Sequence, residues 1–176
     1  MTCLQRRTAL ISACFASIAR YENKHQESNK MSAPHCKQCF LHLQDLSKNP
    51  SSSFAESSRG NTTWHTLLSA PTTPTDTLSA GIAVCPSNGS LALHRHKQAE
   101  IYYVLSGSGE VEIDGARQRV SKNMIIWIPG DAEHGVFCGD GEELKWLYIF
   151  PESKFEDIVY RFSNEEQSQP RRTSKL

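Results

Sequence analysis

The sequence predicts an all-β domain, a small antiparallel jelly-roll barrel, on three observations. From about residue 60 onward, short apolar or alternating runs recur, each of strand length and each bounded by Gly, Pro, Asn or Asp. Asp114-Gly115, the pair favoured in a two-residue hairpin, separates "EVEI" from "RQRV". The strand, helix, strand alternation that a parallel sheet requires does not occur.

The expected strands follow in order as "LSAGIAV", "SLALHRH", "EIYYVLSG", "GEVEIDG", "RQRV", "MIIWIPG", "HGVFCG" and "LKWLYIF". Each alternates or is continuously apolar over a length that a strand, rather than a helix, would use. Beyond them, "FPESKFEDIVYRF" places Phe155, Ile158, Val159 and Phe162 at helical spacing and reads as a short terminal helix on the barrel. The expected domain is therefore residues 60–162, preceded by a poorly ordered extension, 1–59, and followed by a disordered tail, 163–176. Composition marks the same boundary: all ten glycines lie at Gly60 or later, and eleven of the fifteen aromatic residues fall between Trp64 and Phe162. The tail "SNEEQSQPRRTSKL" lacks the apolar side chains that offset the entropy of ordering it.

Charge excludes some partners. Nineteen basic side chains balance nineteen acidic ones, so nothing global points to a nucleic acid or an acidic membrane. No apolar run approaches the roughly 20 residues that span a bilayer, so a soluble, cytoplasmic protein is the default. The first thirty residues, with Arg6 and Arg7 ahead of an apolar run from Ala9 to Ala19, read equally as a secretory signal, an organellar presequence, or a plain terminal helix or extension upstream of Met31. The six cysteines are scattered, which favours reduced thiols over a disulfide framework. Cys36 and Cys39 have C-x-x-C spacing beside His35, but a structural zinc needs a second pair and none is spaced for it.

The chemistry concentrates in "LHRHKQAEIYYVLSGSG". Side chains alternate faces along a strand, so His94 and His96 share one face, Glu100 shares another with Tyr102 and Val104, and "KQA" supplies the turn between them. Two adjacent strands then aim two imidazoles and a carboxylate at one interior. His134, opening the strand after Pro129 and Gly130, is a fourth candidate. Three His and one Glu suit a first-row divalent ion such as Fe, Mn, Ni, Zn or Cu. Each imidazole then needs an acceptor for its other nitrogen.

The pattern His94-x-His96-x3-Glu100-x6-Gly107, followed by Pro129-x4-His134, resembles the two-part cupin motif. The resemblance covers residues 60–162. It implies a double-stranded β-helix, often dimeric, so a homodimer is expected, with His94, His96, Glu100 and His134 as the matching metal ligands. This sequence departs from the motif in having one residue fewer between Gly89 and His94, Asn123 and Asp131 where glycines are usual, and Cys138 where Asn is common. "TTWHTLLSAPTTPTD" and "LKWLYIFPESKFEDIVYRF" are similar, more distantly, to small cupins of fungal polyketide tailoring, including salicylaldehyde-type pathways.

These resemblances imply a metal-dependent oxidoreductase acting on a small polyketide or aromatic precursor of secondary metabolism. A Lewis-acid lyase, dehydratase or isomerase is the alternative, since small cupin lyases that cleave sulfonium propionates resemble the layout too. A non-catalytic small-ligand binder is the third reading. Tyr102, on the face of Glu100, is the candidate proton-transfer group, although a phenol near pKa 10 needs the metal or another charge to lower it; the plainer role is a wall residue that hydrogen-bonds a ligand. Trp146, Tyr148 and Phe150 share a face that could line an aromatic substrate pocket, although an apolar barrel core is the favoured account of the same alternation, and Trp127 has the same two readings. Cys138 reads as a buried, inert thiol.

Overall fold

The computed structural model describes residues 37–43 and 50–166, which belong to one compact unit. The presequence readings of residues 1–30, the Cys36 half of the C-x-x-C pair and tail residues 167–176 lie outside the described residues. Ten strands form the domain: β1 (Ser52–Ser53), β2 (Thr63–Leu68), β3 (Ser79–Cys85), β4 (Ser90–Arg95), β5 (Glu100–Ile113), β6 (Ala116–Ser121), β7 (Ile125–Ile128), β8 (His134–Phe137), β9 (Leu144–Phe150) and β10 (Arg161–Phe162). The order is β1-β2-β3-β9-β5-β8-β4-β10, with β6 and β7 also on β5 and every pairing antiparallel. This is the jelly-roll barrel that the turn spacing predicts.

Two expected strands, "EIYYVLSG" and "GEVEIDG", are one strand of 14 residues shared by both halves of the barrel. Its first half pairs with β7 and β9, its second with β6 and β8. The change of sheet costs one step of alternation. Glu100, Tyr102 and Val104 point inward before it, Gly109 and Val111 after it. A bulge between Val104 and Ser106 and the left-handed Gly107, φ 77°, absorb the step. A side chain at Gly107 would put its Cβ 1.7 Å from the Glu143 carbonyl, so only glycine fits.

The core follows the alternation in β9, where Leu144, Trp146, Tyr148 and Phe150 are all buried. In register across the sheet, Trp64, Ala83, Trp146 and Val104 form one inner row and Thr66, Gly81, Tyr148 and Tyr102 the next. Gly81 is small because the Tyr148 phenol lies across it: an added Cβ would meet that oxygen at 2.1 Å.

The C-terminal segment differs from the helix expected over Phe155–Phe162. A 3-10 turn at Phe155–Asp157 gives way to extended chain, and a short helix, α1, follows at Ser163–Glu166, within the expected tail. Ile158 and Phe162 are buried, Tyr160 is half-buried, and Val159 and Arg161 are exposed, so the real period is two. Pairing of β10 with β4, which sets Phe162 opposite His94, outweighs the local helical spacing.

Candidate metal centre

Three imidazoles converge at one end of the barrel. His94, next to last in β4, stands directly opposite His134, which opens β8, and both are fully buried. His96 follows β4 and Glu100 opens β5, at 1% and 2% exposure. One candidate ligand atom from each histidine lies within 4.8 Å of the others. Glu100 Oε2 stands 3.3 Å from His96 Nε2 and 3.4 Å from His134 Nε2. The strands thus bring together all four residues expected from the spacing.

Backbone carbonyls orient the rings. His94 Nδ1 bonds Ala92 O at 2.8 Å, His96 Nδ1 bonds Gln98 O at 2.8 Å, and His134 Nδ1 bonds Ala132 O at 2.9 Å. A carbonyl only accepts, so each ring donates through Nδ1, and in its neutral form has its lone pair on Nε2. Those three Nε2 atoms and Glu100 Oε2 are buried without a hydrogen-bond partner. Leaving such groups unpaired is costly, and a cation at their centre removes the cost. Burial, with the neighbouring His134 charge second, holds the His94 imidazole well below its usual value and therefore neutral, the form that ligates. The donor set and its tautomers fit a divalent transition metal.

The turn between the two motif halves is equally determined. Asp131 N–H donates to His96 O at 2.8 Å, and Ala132 N–H closes on Pro129 O at 3.2 Å. Asn123 and Asp131, the residues standing where glycines are usual, have φ of 72° and 60°, a left-handed conformation that Asn and Asp tolerate best after glycine. Gly130 packs against the first turn so closely that an added Cβ would lie 2.4 Å from Lys97 O. Gly130→Ala is expected to push that turn away from His96 and weaken metal binding about tenfold or more, the scale of a disturbed support for a ligand. Competition with a chelator measures it.

A pocket opens beside the four residues. Glu100, Tyr102, Trp146 and Tyr148 line its interior, and Phe54, Trp64, Phe155 and Tyr160 its mouth. Apart from Glu100, none of its walls is charged. Its open space is about 20 Å³, roughly one water, so a substrate must displace the aromatic mouth on entry. Tyr102 is 2% exposed, its ring centroid 5.3 Å from Trp146 and 6.5 Å from His134. Burial, then the charge of Glu100, pushes its phenol well above the usual value.

Several expectations resolve here. Trp146 and Tyr148 serve both as core and as pocket wall, whereas Phe150 is core alone, packing edge-on against His96 at 5.0 Å and beside Tyr148 and Phe155. Trp127 is neither, being 60% exposed on the outside of β7. Cys138 is buried beside Cys85, its thiol 3.5 Å from the Cys85 carbonyl and raised by burial, as an inert thiol should be. Tyr160 was not anticipated. Its ring stacks on His94 at 4.9 Å, and the only signal for it was the period-two pattern of Ile158, Tyr160 and Phe162 beneath the apparent helical spacing.

Residues 81–150 match the family model described as "Cupin domain". A curated protein of *Ruegeria pomeroyi*, dimethylsulfoniopropionate lyase DddW, is 32% identical over 156 residues, covering 89% of this chain and 97% of that protein. Among solved structures, the polyketide cyclase RemF from Streptomyces resistomycificus aligns with TM-score 0.61 and 23% identity, over 72% of this chain and 86% of that one. A structure described as that of the DMSP lyases RdDddP and RnDddQII aligns with TM-score 0.55 and 16% identity, over 64% and 61%. At these identities the two structural likenesses establish the fold.

Proposed function

Because the chain belongs to the cupin family, we propose that it is a metal-dependent enzyme of that family, and that its reaction is a lyase reaction, β-elimination from a small sulfonium carboxylate such as dimethylsulfoniopropionate. The observation that carries this reading is the cluster of three carbonyl-oriented imidazoles and Glu100 opening onto a pocket walled by aromatic rings. The likeness to DddW along nearly the whole of that lyase supplies the reaction class. It supports the lyase over the oxidoreductase of polyketide tailoring expected first from the sequence.

His94, His96, His134 and Glu100 would hold the metal, Fe(II) being our first assignment. A divalent ion there would supply positive charge that acidifies the proton beside a bound carboxylate and would counter the burial and, after it, the Glu100 charge that raise the Tyr102 phenol. Tyr102 is the proton-transfer group. Its phenolate takes the proton from the carbon next to the carboxylate, the C–H electrons form the new double bond, and the carbon–sulfur pair leaves with sulfur, giving an unsaturated acid and a neutral sulfide. The aromatic walls suit the substrate's cation, because ring faces attract onium groups and no basic side chain lines the pocket itself, Arg59 lying 5.8 Å over the Phe54 ring.

The test is incubation of metal-loaded protein with dimethylsulfoniopropionate, reading acrylate and dimethyl sulfide together. Equimolar formation of both is expected. Oxygen consumption without elimination would return the weight to the oxidoreductase, and stoichiometric binding without product to a small-ligand binder.

A further inference from the structure

The mouth of the pocket is closed over about 20 Å³ of open space, and its four rings are not held alike. Trp64 lies within β2, which pairs on both sides. Phe155 is fixed by its N–H, which donates to Ser69 Oγ at 3.0 Å. Tyr160 stacks on His94 between the buried Ile158 and Phe162, on chain that continues into β10. Phe54 is different. It follows the two-residue β1, and none of residues 52–59 is buried. Its ring nevertheless covers the pocket, meeting Trp64 at 4.8 Å, Phe162 at 5.1 Å and Tyr160 at 5.4 Å.

A few side chains tie this strap down. The Arg59 guanidinium reaches Glu165 through Nε at 2.7 Å and Nη2 at 3.3 Å, and Glu56 through Nη1 at 2.9 Å. Its centre lies 5.0 Å from the Phe162 ring and 5.8 Å from that of Phe54. A planar, permanently charged guanidinium makes fork and ring contacts together, in a geometry that an ammonium lacks. Asn164 Nδ2 adds a bond to Ser58 O at 2.8 Å. Beyond the strap the chain is pinned again, with Asn61 N–H donating to Ser90 O and Ser90 N–H to Asn61 Oδ1, both at 2.9 Å. Between strap and pin stands Gly60 at φ 95°, where an added Cβ would lie 2.1 Å from Ser90 O. Glycine at that point permits the backbone rotation that a hinge needs.

We propose that residues 52–59 are the lid of the pocket, hinged at Gly60 and latched by Arg59. Opening peels β1 from β2, which breaks only a two-residue pairing, carries Phe54 out of the mouth and parts Arg59 from Glu165. The other side of the latch stays in place, because it has anchors of its own: Arg161 pairs with Asp131, and Ser163 bonds Glu133. Tyr160 therefore keeps its stack on His94 while the lid moves. Arg59 and Glu165 are both partly exposed, at 28% and 41%, so the latch is weak enough to release on its own and weaker still in salt. Closure excludes water from the site between entries.

The test reads opening in the full chain, without turnover. Ala83 lines the pocket at 4% exposure, so Ala83→Cys puts a thiol behind the lid. Its modification by methyl methanethiosulfonate, read by mass spectrometry at position 83, should quicken about threefold to tenfold when Arg59→Ala is added, the worth of a partly exposed ion-pair network. Arg117→Ala, which takes a similar guanidinium from Glu112 and Phe137 elsewhere on the surface, should leave the rate unchanged. Backbone hydrogen exchange, measured without the added thiol, should rise by a similar factor at residues 52–59 in Arg59→Ala and stay unchanged across β9. Modification at the native rate in Arg59→Ala overturns the latch. Exchange that rises across β9 as well overturns the lid, since the whole barrel would then have loosened.

Discussion

His96→Ala is expected to abolish stoichiometric binding of a divalent metal. The native protein, purified without oxygen, should carry about one equivalent, and the variant a small fraction of that. His96 supplies one of only three imidazole nitrogens at the centre, and its ring is fixed both by the Gln98 carbonyl and by the edge-on contact with Phe150. Without it Glu100 loses one of its two close nitrogen neighbours, leaving a carboxylate buried among neutral groups. Stability gives an independent reading. A metal at about a hundred times its dissociation constant stabilises the folded state by about 2.7 kcal/mol, which for a domain of this size raises the melting temperature on the order of 5–10 °C. The native protein should show that rise and His96→Ala should not. A variant that keeps both metal and rise would remove His96 from the ligand set.

Tyr102→Phe is expected to lower kcat by about 10²–10⁴, the usual worth of a positioned proton-transfer group, while changing KM little. Phenylalanine keeps the ring that packs against Trp146 and faces His134, so the pocket wall and the barrel should persist. What disappears is the only phenol oxygen on the inner face of β5 beside Glu100. The split between kcat and KM separates the two roles: a wall residue that hydrogen-bonds the substrate would show its loss in KM. A variant within threefold of native kcat would assign the proton to another group.

The convergence of His94, His96 and Glu100 was legible because it is local. His94, His96 and Glu100 lie within seven positions, and strand alternation with one turn is enough to bring them together. Asp114-Gly115 marked its hairpin for the same reason, with both residues at positive φ. The strand β2 escaped notice because "TWHTLL" is half polar, and its burial comes from Trp64, Leu67 and the neighbours β1 and β3 rather than from its own pattern. Phe155–Phe162 misled because a few apolar residues satisfy periods of two and 3.6 together, and only pairing with β4 chooses between them.

By itself the sequence determined the barrel class, the strand spacing and the convergence of His94, His96 and Glu100, all of which depend on neighbours along the chain, while His134 joins them through the pairing of β8 with β4. Tertiary structure alone decided that Tyr160 stacks on His94 from 66 positions away, that Phe54, Trp64 and Phe155 form the pocket mouth, and that Trp127 faces outward. It also decided that three carbonyls, at Ala92, Gln98 and Ala132, turn every Nε2 inward. The physical reason is common to all of these. A side chain's face follows from local alternation, but what it meets there depends on which distant strand is its neighbour, and that is settled by the packing of the whole barrel.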